Sequence, residues 1–104
     1  MKLETVIEGL PRIRLANLPT PLEEMPRFSK LLGGPKIWIK RDDLTGLAFG
    51  GNKVRKLEFE MADAVKQSAD VIVAGGVIQS NHALATTVAA RRLGMKVVLL
   101  LRGE

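Results

Sequence analysis

The sequence predicts an α/β fold in which helices lie against a parallel sheet, and three observations predict it. Strand-like and helix-like segments alternate from residue 36 to residue 102 as strand, helix, strand, helix, strand, with the short connections of right-handed crossovers. The runs Val71–Ala74 and Val97–Leu101 are continuously apolar, as strands covered on both faces are. Hydrophobic residues make up 46% of the chain but aromatic ones only 4%, so the core has to be built from Val, Ile, Leu, Ala and Met.

Taken in order, the leader to about Gly34 is broken by Pro11, Pro19, Pro21 and Pro26 and should wander. Within it Thr20, Pro21 and Glu23 resemble a capping box, followed by a short apolar set, Phe28, Leu31 and Leu32, that stops at Gly33-Gly34. One or two helical turns are expected there. Lys36–Arg41 has the β-branched and aromatic content of a first strand. A glycine-bearing loop runs from Asp42 to Gly51, and Asn52 is the natural N-cap of a helix carrying Val54, Leu57, Met61, Ala64, Val65 and Ala69 at helical spacing. Lys56 and Glu60 can pair across one turn of it. The second strand, Val71–Ala74, should end at Gly75-Gly76. Ser80 or Asn81 then caps a helix with the buried stripe Ala85, Val88, Ala89 and Leu93, and Gly94 stops it. Lys96–Arg102 is the third strand. Two helices and an irregular leader cover such a sheet only partly, so the chain is expected to be a fragment.

A length of 104 residues allows one core at most. The net charge of +5 is spread over scattered Lys and Arg with no basic run longer than two, which argues against nucleic acid and leaves an anionic ligand open. With no cysteine, disulfides, thiolate metal sites and a Cys nucleophile are excluded. His82 is the only histidine, so a metal site of several imidazoles cannot exist in this chain. Val97–Leu101 is too short to cross a bilayer, and the start, with Glu4 and Glu8, is unlike a signal peptide. A cytoplasmic protein without a membrane partner is the expectation.

Open parallel sheets bind ligands at the carboxyl ends of their strands, and both glycine-bearing loops sit at such ends and lead into helix starts. They are expected to converge on one crevice. Thr45 to Lys53 misses the phosphate-binding P-loop by one inserted Asn and has Val54 where a magnesium-binding hydroxyl belongs, and neither loop matches the dinucleotide fingerprint. Lys53, in the first helical turn, faces the positive end of the helix dipole with Arg55 and Lys56 adding like charge. Such a field disfavours the ammonium form and makes the amine a better nucleophile towards carbonyl compounds. The alternative is an exposed surface lysine. Gln79-Ser80-Asn81-His82 gathers polar side chains and free N–H groups at a helix start, suited to a carboxylate or phosphate; against this, Ser80 or Asn81 has only to cap the helix, and His82 only to be a satisfied loop residue. Asp42 and Asp43 read as residues that fix the turn and balance Lys40 and Arg41.

Trp38-Ile39-Lys40-Arg41-Asp42-Asp43-Leu44-Thr45-Gly46, Gly50-Gly51-Asn52-Lys53-Val54-Arg55-Lys56-Leu57-Glu58 and Gly75 to His82 together resemble the D-cysteine desulfhydrase and 1-aminocyclopropane-1-carboxylate deaminase family. These are pyridoxal-phosphate enzymes of the tryptophan-synthase-β-like fold, a three-layer parallel α/β architecture. The resemblance extends from Leu18-Pro19-Thr20-Pro21-Leu22 to Leu101-Arg102-Gly103. It implies that Lys53 joins pyridoxal 5'-phosphate as a Schiff base, that Lys56 contacts its phosphate, and that Asn81 hydrogen-bonds the hydroxyl oxygen of its ring. It further implies that Ser80 is catalytic and that Gln79, Ser80, Asn81 and His82 hold the carboxylate of a small amino-acid substrate. Residues 1–50 would belong to the large coenzyme domain and residues 51–104 would open a smaller domain bearing Lys53. The complete protein would be a homodimer.

The implied reactions are α,β-elimination of D-cysteine to pyruvate, ammonia and sulfide, or opening of the cyclopropane amino acid to a 2-oxo acid and ammonia. Family deaminases tend to carry Gln at the position of His82, which leans the sequence towards the desulfhydrase side, while Leu84 departs from a frequent Arg. The family's phosphate loop, its partner for the ring nitrogen and its tyrosine near the ring lie in a C-terminal part, and this chain has no Tyr. At this length alone it is expected to be inactive, as a truncated product or part of a longer polypeptide. The competing readings are a noncatalytic anion- or nucleotide-binding α/β module and an inert truncated fragment.

Overall fold

A computed structural model describes residues 1–103. The elements are α1 (Leu3–Glu8), β1 (Leu22–Glu24), α2 (Pro26–Leu32), β2 (Trp38–Lys40), a 3-10 turn at Asp42–Leu44, α3 (Lys53–Lys66), β3 (Val71–Val77), α4 (Asn81–Arg92) and β4 (Lys96–Arg102). Helices thus flank two small sheets, a two-stranded antiparallel β1–β2 and a two-stranded parallel β3–β4. The alternation expected after residue 50 is present, and the β3–β4 register runs from Val71 opposite Lys96 to Val77 opposite Arg102. α4 packs on both parallel strands and on α3.

The expected three-stranded parallel sheet is not formed among the described residues. The strand read at Lys36–Arg41 shortens to β2 and pairs antiparallel with β1, Leu22 opposite Lys40 and Glu24 opposite Trp38. β1 occupies the place read as a capping box. The Thr20 hydroxyl has no helix to cap there, since the chain that follows it is extended; it donates to Asp42 Oδ1 at 2.8 Å and its oxygen accepts from Arg55 Nη2 at 2.9 Å. The helix begins instead at Pro26, a proline at its first position, and ends as expected on Gly33 with φ +65°. α1 has no counterpart among the expected elements, although Leu3, Val6 and Ile7 recur at helical spacing; it is six residues long and buries none of them. β3 also outruns its expected end, because Gly75 and Gly76 stay in the ladder opposite Leu100 and Leu101.

The core is aliphatic, as composition requires: Leu15, Ala16, Leu47, Val54, Leu57, Met61, Ala85, Ala89, Ala90 and Met95 form one buried cluster. Leader, loop and both long helices therefore share a single core. Of the α3 residues expected inside, Val54, Leu57 and Met61 are buried while Val65 is exposed; of the α4 stripe, Ala85 and Ala89 are buried while Val88 and Leu93 are partly so. The outer face of β3–β4 is open, with Val73 62% and Leu100 63% exposed.

Among the described residues one charged side chain is buried with this core. Glu58, on α3, has 0% exposure, and its carboxylate accepts from Leu15 N at 2.7 Å, Ala16 N at 2.9 Å and Arg12 Nε at 2.6 Å. Its main-chain carbonyl takes the Ile13 N–H at 3.0 Å. The irregular leader has no strand ladder here to satisfy its N–H groups, and Glu58 satisfies them.

Candidate functional site

The first loop is set by its buried members. Leu47 enters the core, and Thr45, wholly buried, donates from Oγ1 towards Gly51 O at 2.9 Å and Asp42 O at 3.2 Å. Gly50 N donates to Leu47 O at 2.7 Å and Gly51 N to Asp42 O at 2.9 Å. Gly50 and Gly51 have φ of +77° and +113°, a region that side chains rarely enter. α3 then begins at Lys53. Asn52 stands at the N-cap position but with helical dihedrals and no capping bond from its side chain, because the chain already turns into the helix there, with Arg55 N on Asn52 O at 3.3 Å.

The second loop leaves β3 and tightens at once, with Ile78 N on Arg102 O at 2.9 Å and Ser80 N on Val77 O at 3.0 Å. Of the two candidate caps it is Ser80 that caps α4, its Oγ accepting from Ala83 N at 3.1 Å. Asn81 is thereby released to reach the first loop, where its Nδ2 donates to Gly50 O at 3.2 Å. A side chain on Gly51 would come within 2.8 Å of that same amide nitrogen. The two loops meet through this bond, although the first follows an antiparallel strand and not, as expected, a strand of the same parallel sheet.

Lys53 and Lys56 are exposed, and Lys56 pairs with Glu60 at 3.6 Å, the expected one-turn contact. Both lysines are felt by His82. Burial lowers the proton affinity of His82 below its ordinary value, Lys56 and Lys53 push the same way, and Glu60 opposes them. His82 Nδ1 is buried without a hydrogen-bond partner among the described residues. The structure thus joins Asn81, beside Ser80 and His82 at the start of α4, to the loop that leads into Lys53 and Lys56, while Gln79 lies exposed.

The expected balance of Arg41 is met by Asp43, while Asp42, besides the field of Lys40, takes a partner the sequence did not show: Arg55, whose Nε donates to Oδ2 at 2.6 Å and whose Nη2 donates to Oδ1 at 2.9 Å. The Arg55 guanidinium, opposed by burial and helped by Thr20, holds the Asp42 carboxyl at about 2. Arg41 pairs with Asp43 at 2.8 Å, and Lys40 Nζ donates to Thr20 O at 2.6 Å. The like charge that surrounds Lys53 in the sequence is therefore balanced, Arg55 by Asp42 and Lys56 by Glu60. Separations of 13 and 35 residues left the Asp42–Arg55–Thr20 group without a local signal in the sequence.

Among the described residues no group of His, Cys, Asp and Glu could hold a metal ion. No helix there is long and apolar enough to cross a membrane. What the site offers is two amines, an amide, a hydroxyl and the open N–H groups of α4, groups whose chemistry suits an anionic, carbonyl-bearing molecule.

Comparison with known proteins agrees with that chemistry. Residues 13–103 match the model of a family described as "Pyridoxal-phosphate dependent enzyme". A Pyrococcus furiosus protein provisionally named a 1-aminocyclopropane-1-carboxylate deaminase is 48% identical over 103 residues, 99% of this chain and 31% of its own length. A protein of Salmonella paratyphi B named D-cysteine desulfhydrase is 53% identical over 91 residues, 88% of this chain and 27% of its own. A crystal structure described as that of an "ACC deaminase homologue" superposes with a TM-score of 0.92 at 42% identity, covering all of this chain and 32% of that one. The chain spans about a third of the length of these relatives.

Proposed function

Since this chain belongs to the family of pyridoxal-phosphate dependent enzymes, we propose that it is the N-terminal part of a lyase or deaminase acting on a small amino acid. Its reaction would be the D-cysteine desulfhydrase type of α,β-elimination or the 1-aminocyclopropane-1-carboxylate deaminase type of ring opening. The observation that carries the proposal is the Asn81–Gly50 bond, which holds the start of α4 against the loop leading to Lys53. In this reading residues 1–50 belong to the large coenzyme domain and residues 51–104 open the smaller one. The complete protein would be a homodimer.

The residues present fit the coenzyme. Lys53 offers a primary amine for its aldehyde and Lys56 an ammonium for its phosphate. The Asn81 amide is bonded to the loop that leads into them, and glycine at residue 51 leaves that approach free of a side chain. When bound, pyridoxal phosphate supplies a conjugated ring that accepts electrons from the substrate's carbon framework. Lys53 Nζ would hold the coenzyme and, as a free amine, would be the base that moves the proton at the substrate Cα. The N–H groups at the start of α4 orient the substrate carboxylate, with the help of the helix dipole. Ser80 Oγ already accepts the Ala83 N–H, so its own proton is free to be donated towards the substrate. Half-buried His82, held below its ordinary proton affinity, stands beside them as a neutral imidazole above that ordinary value of 6.5.

His82 supports the desulfhydrase branch. The test is to incubate the longest natural polypeptide carrying this sequence with D-cysteine and with 1-aminocyclopropane-1-carboxylate. Sulfide, pyruvate and ammonia from the first are expected; a 2-oxo acid and ammonia from the second alone would move the assignment to the deaminase branch, and turnover of neither would overturn both.

A further inference from the structure

Lys53 stands between two residues that Asp42 holds. Before it in the chain, Gly51 N donates to the main-chain carbonyl of Asp42 at 2.9 Å. After it, Arg55 donates to both oxygens of the Asp42 carboxylate, at 2.6 and 2.9 Å. A planar fork on a planar carboxylate fixes direction as well as distance. Thr20, 4% exposed, closes the arrangement: its hydroxyl donates to Asp42 Oδ1 at 2.8 Å and accepts from Arg55 Nη2 at 2.9 Å. Thr45, wholly buried, ties the carbonyls of Asp42 and Gly51 to one hydroxyl. One residue outside the helix thus grips the chain on both sides of the lysine.

We infer that Asp42, acting through Arg55 and Gly51, is a positioning residue for the Lys53 amine. A lysine reaches along a flexible four-carbon stem, so its nitrogen is delivered reproducibly only when the turn that carries its Cα cannot tilt or slide. Without the grip, the first turn of α3 would depend on two glycines at positive φ and on an N-cap residue that makes no side-chain cap. The inference rests on the reading of Lys53 as the coenzyme-bearing amine, but the grip itself can be examined without coenzyme.

The variants are Asp42→Asn, which keeps the carbonyl and removes the charge, and Arg55→Lys, which keeps the charge and removes the fork. Both are made in the protein as isolated and checked for cooperative unfolding; if Asp42→Asn does not fold, Arg55→Lys decides. The first readout is trace acylation with acetic anhydride, scored by peptide mass as the rate at Lys53 relative to Lys66 and Lys96 in the same molecule. That ratio is expected to move by roughly threefold or more in each variant and no further in the double variant, because one grip is being released. The second is the share of borohydride-trapped pyridoxal phosphate found on Lys53 rather than on other lysines, which is expected to fall in both variants and to recover in part in Asp42→Glu. Folded variants with an unchanged acylation ratio and an unchanged share would overturn the inference. A wild-type protein that takes no coenzyme on Lys53 overturns the functional reading instead, and the acylation ratio still decides whether Asp42 positions the amine.

Discussion

The side-chain amide of Asn81 donates to the main-chain carbonyl of Gly50 at 3.2 Å, across a sequence separation of 31 residues. The bond joins the start of α4 to the loop that carries Lys53, and it requires that nothing project from residue 51, where a Cβ would lie 2.8 Å from the same amide nitrogen. Gly51→Ala is therefore expected to lose about 1–3 kcal/mol, from forcing an alanine to φ +113° and from displacing Asn81. Gly34→Ala, where a Cβ meets nothing within 4 Å, should be near neutral. Urea midpoints for the two variants check this.

Glu58 makes a second prediction. Burial alone would raise its carboxyl, but the N–H groups of Ala16 and Leu15 and the Arg12 guanidinium overcome that and hold it below the usual range. Removing the carboxylate in Glu58→Ala strands the buried main-chain donors of Leu15 and Ala16, while part-exposed Arg12 can turn to water, at a cost of about 2–5 kcal/mol read from urea midpoints.

The same groups set the acid sensitivity. A depressed carboxyl means that the unfolded chain takes up protons first, so the contributions of Glu58 and Asp42 are fully present above their ordinary values of 4.5 and 3.8. They are lost as the pH falls, for Asp42 until about 2. Urea midpoints should therefore drop progressively below about pH 4.5. The drop should be shallower in Glu58→Gln, which has no carboxyl to titrate; equal slopes in the two proteins would contradict this.

His82 behaves with the opposite charge but the same sign. Its lowered proton affinity means that the unfolded chain binds the proton first, so stability is full above 6.5 and declines as the pH falls below that value. As the only histidine, it gives a single imidazole resonance in a proton NMR titration. The midpoint is expected below 6.5 and should move up in Lys56→Ala, because a neighbouring positive charge is removed. A midpoint unmoved by that substitution would show that the α3 cations do not face the imidazole.

The second half of the chain was legible because its signals are local. Helical spacing from Val54 to Met61, a cap at Ser80 or Asn81 and the aliphatic run of β4 each declare themselves within a few residues, and the fold selects Ser80. The meeting of the two loops was expected for a reason that does not hold, since the first loop leaves β2 of the antiparallel pair and among the described residues only β3 and β4 run parallel. The first half was not legible for the converse reason. Thr20 looks like a cap until Asp42, 22 residues on, claims its hydroxyl, and Lys36–Arg41 looks like a third parallel strand until Leu22–Glu24 pairs with it. Glu58 reads as one more charge beside Lys56 and Glu60, and only the folded leader shows it to be an internal acceptor. Arg55 was legible as a cation near Lys53 but not as one already neutralised, because its partner lies outside the helix.

The central claim is that Lys53 is the amine that joins the coenzyme. It is tested by incubating the polypeptide with pyridoxal phosphate, reducing with borohydride and locating the adduct by peptide mass. The account predicts a predominant adduct on Lys53 that disappears in Lys53→Ala and persists in Lys66→Ala. An adduct spread over the surface lysines, or none on Lys53 in the longest natural polypeptide carrying this sequence, would contradict it and leave an anion-binding module as the reading of these two helix starts.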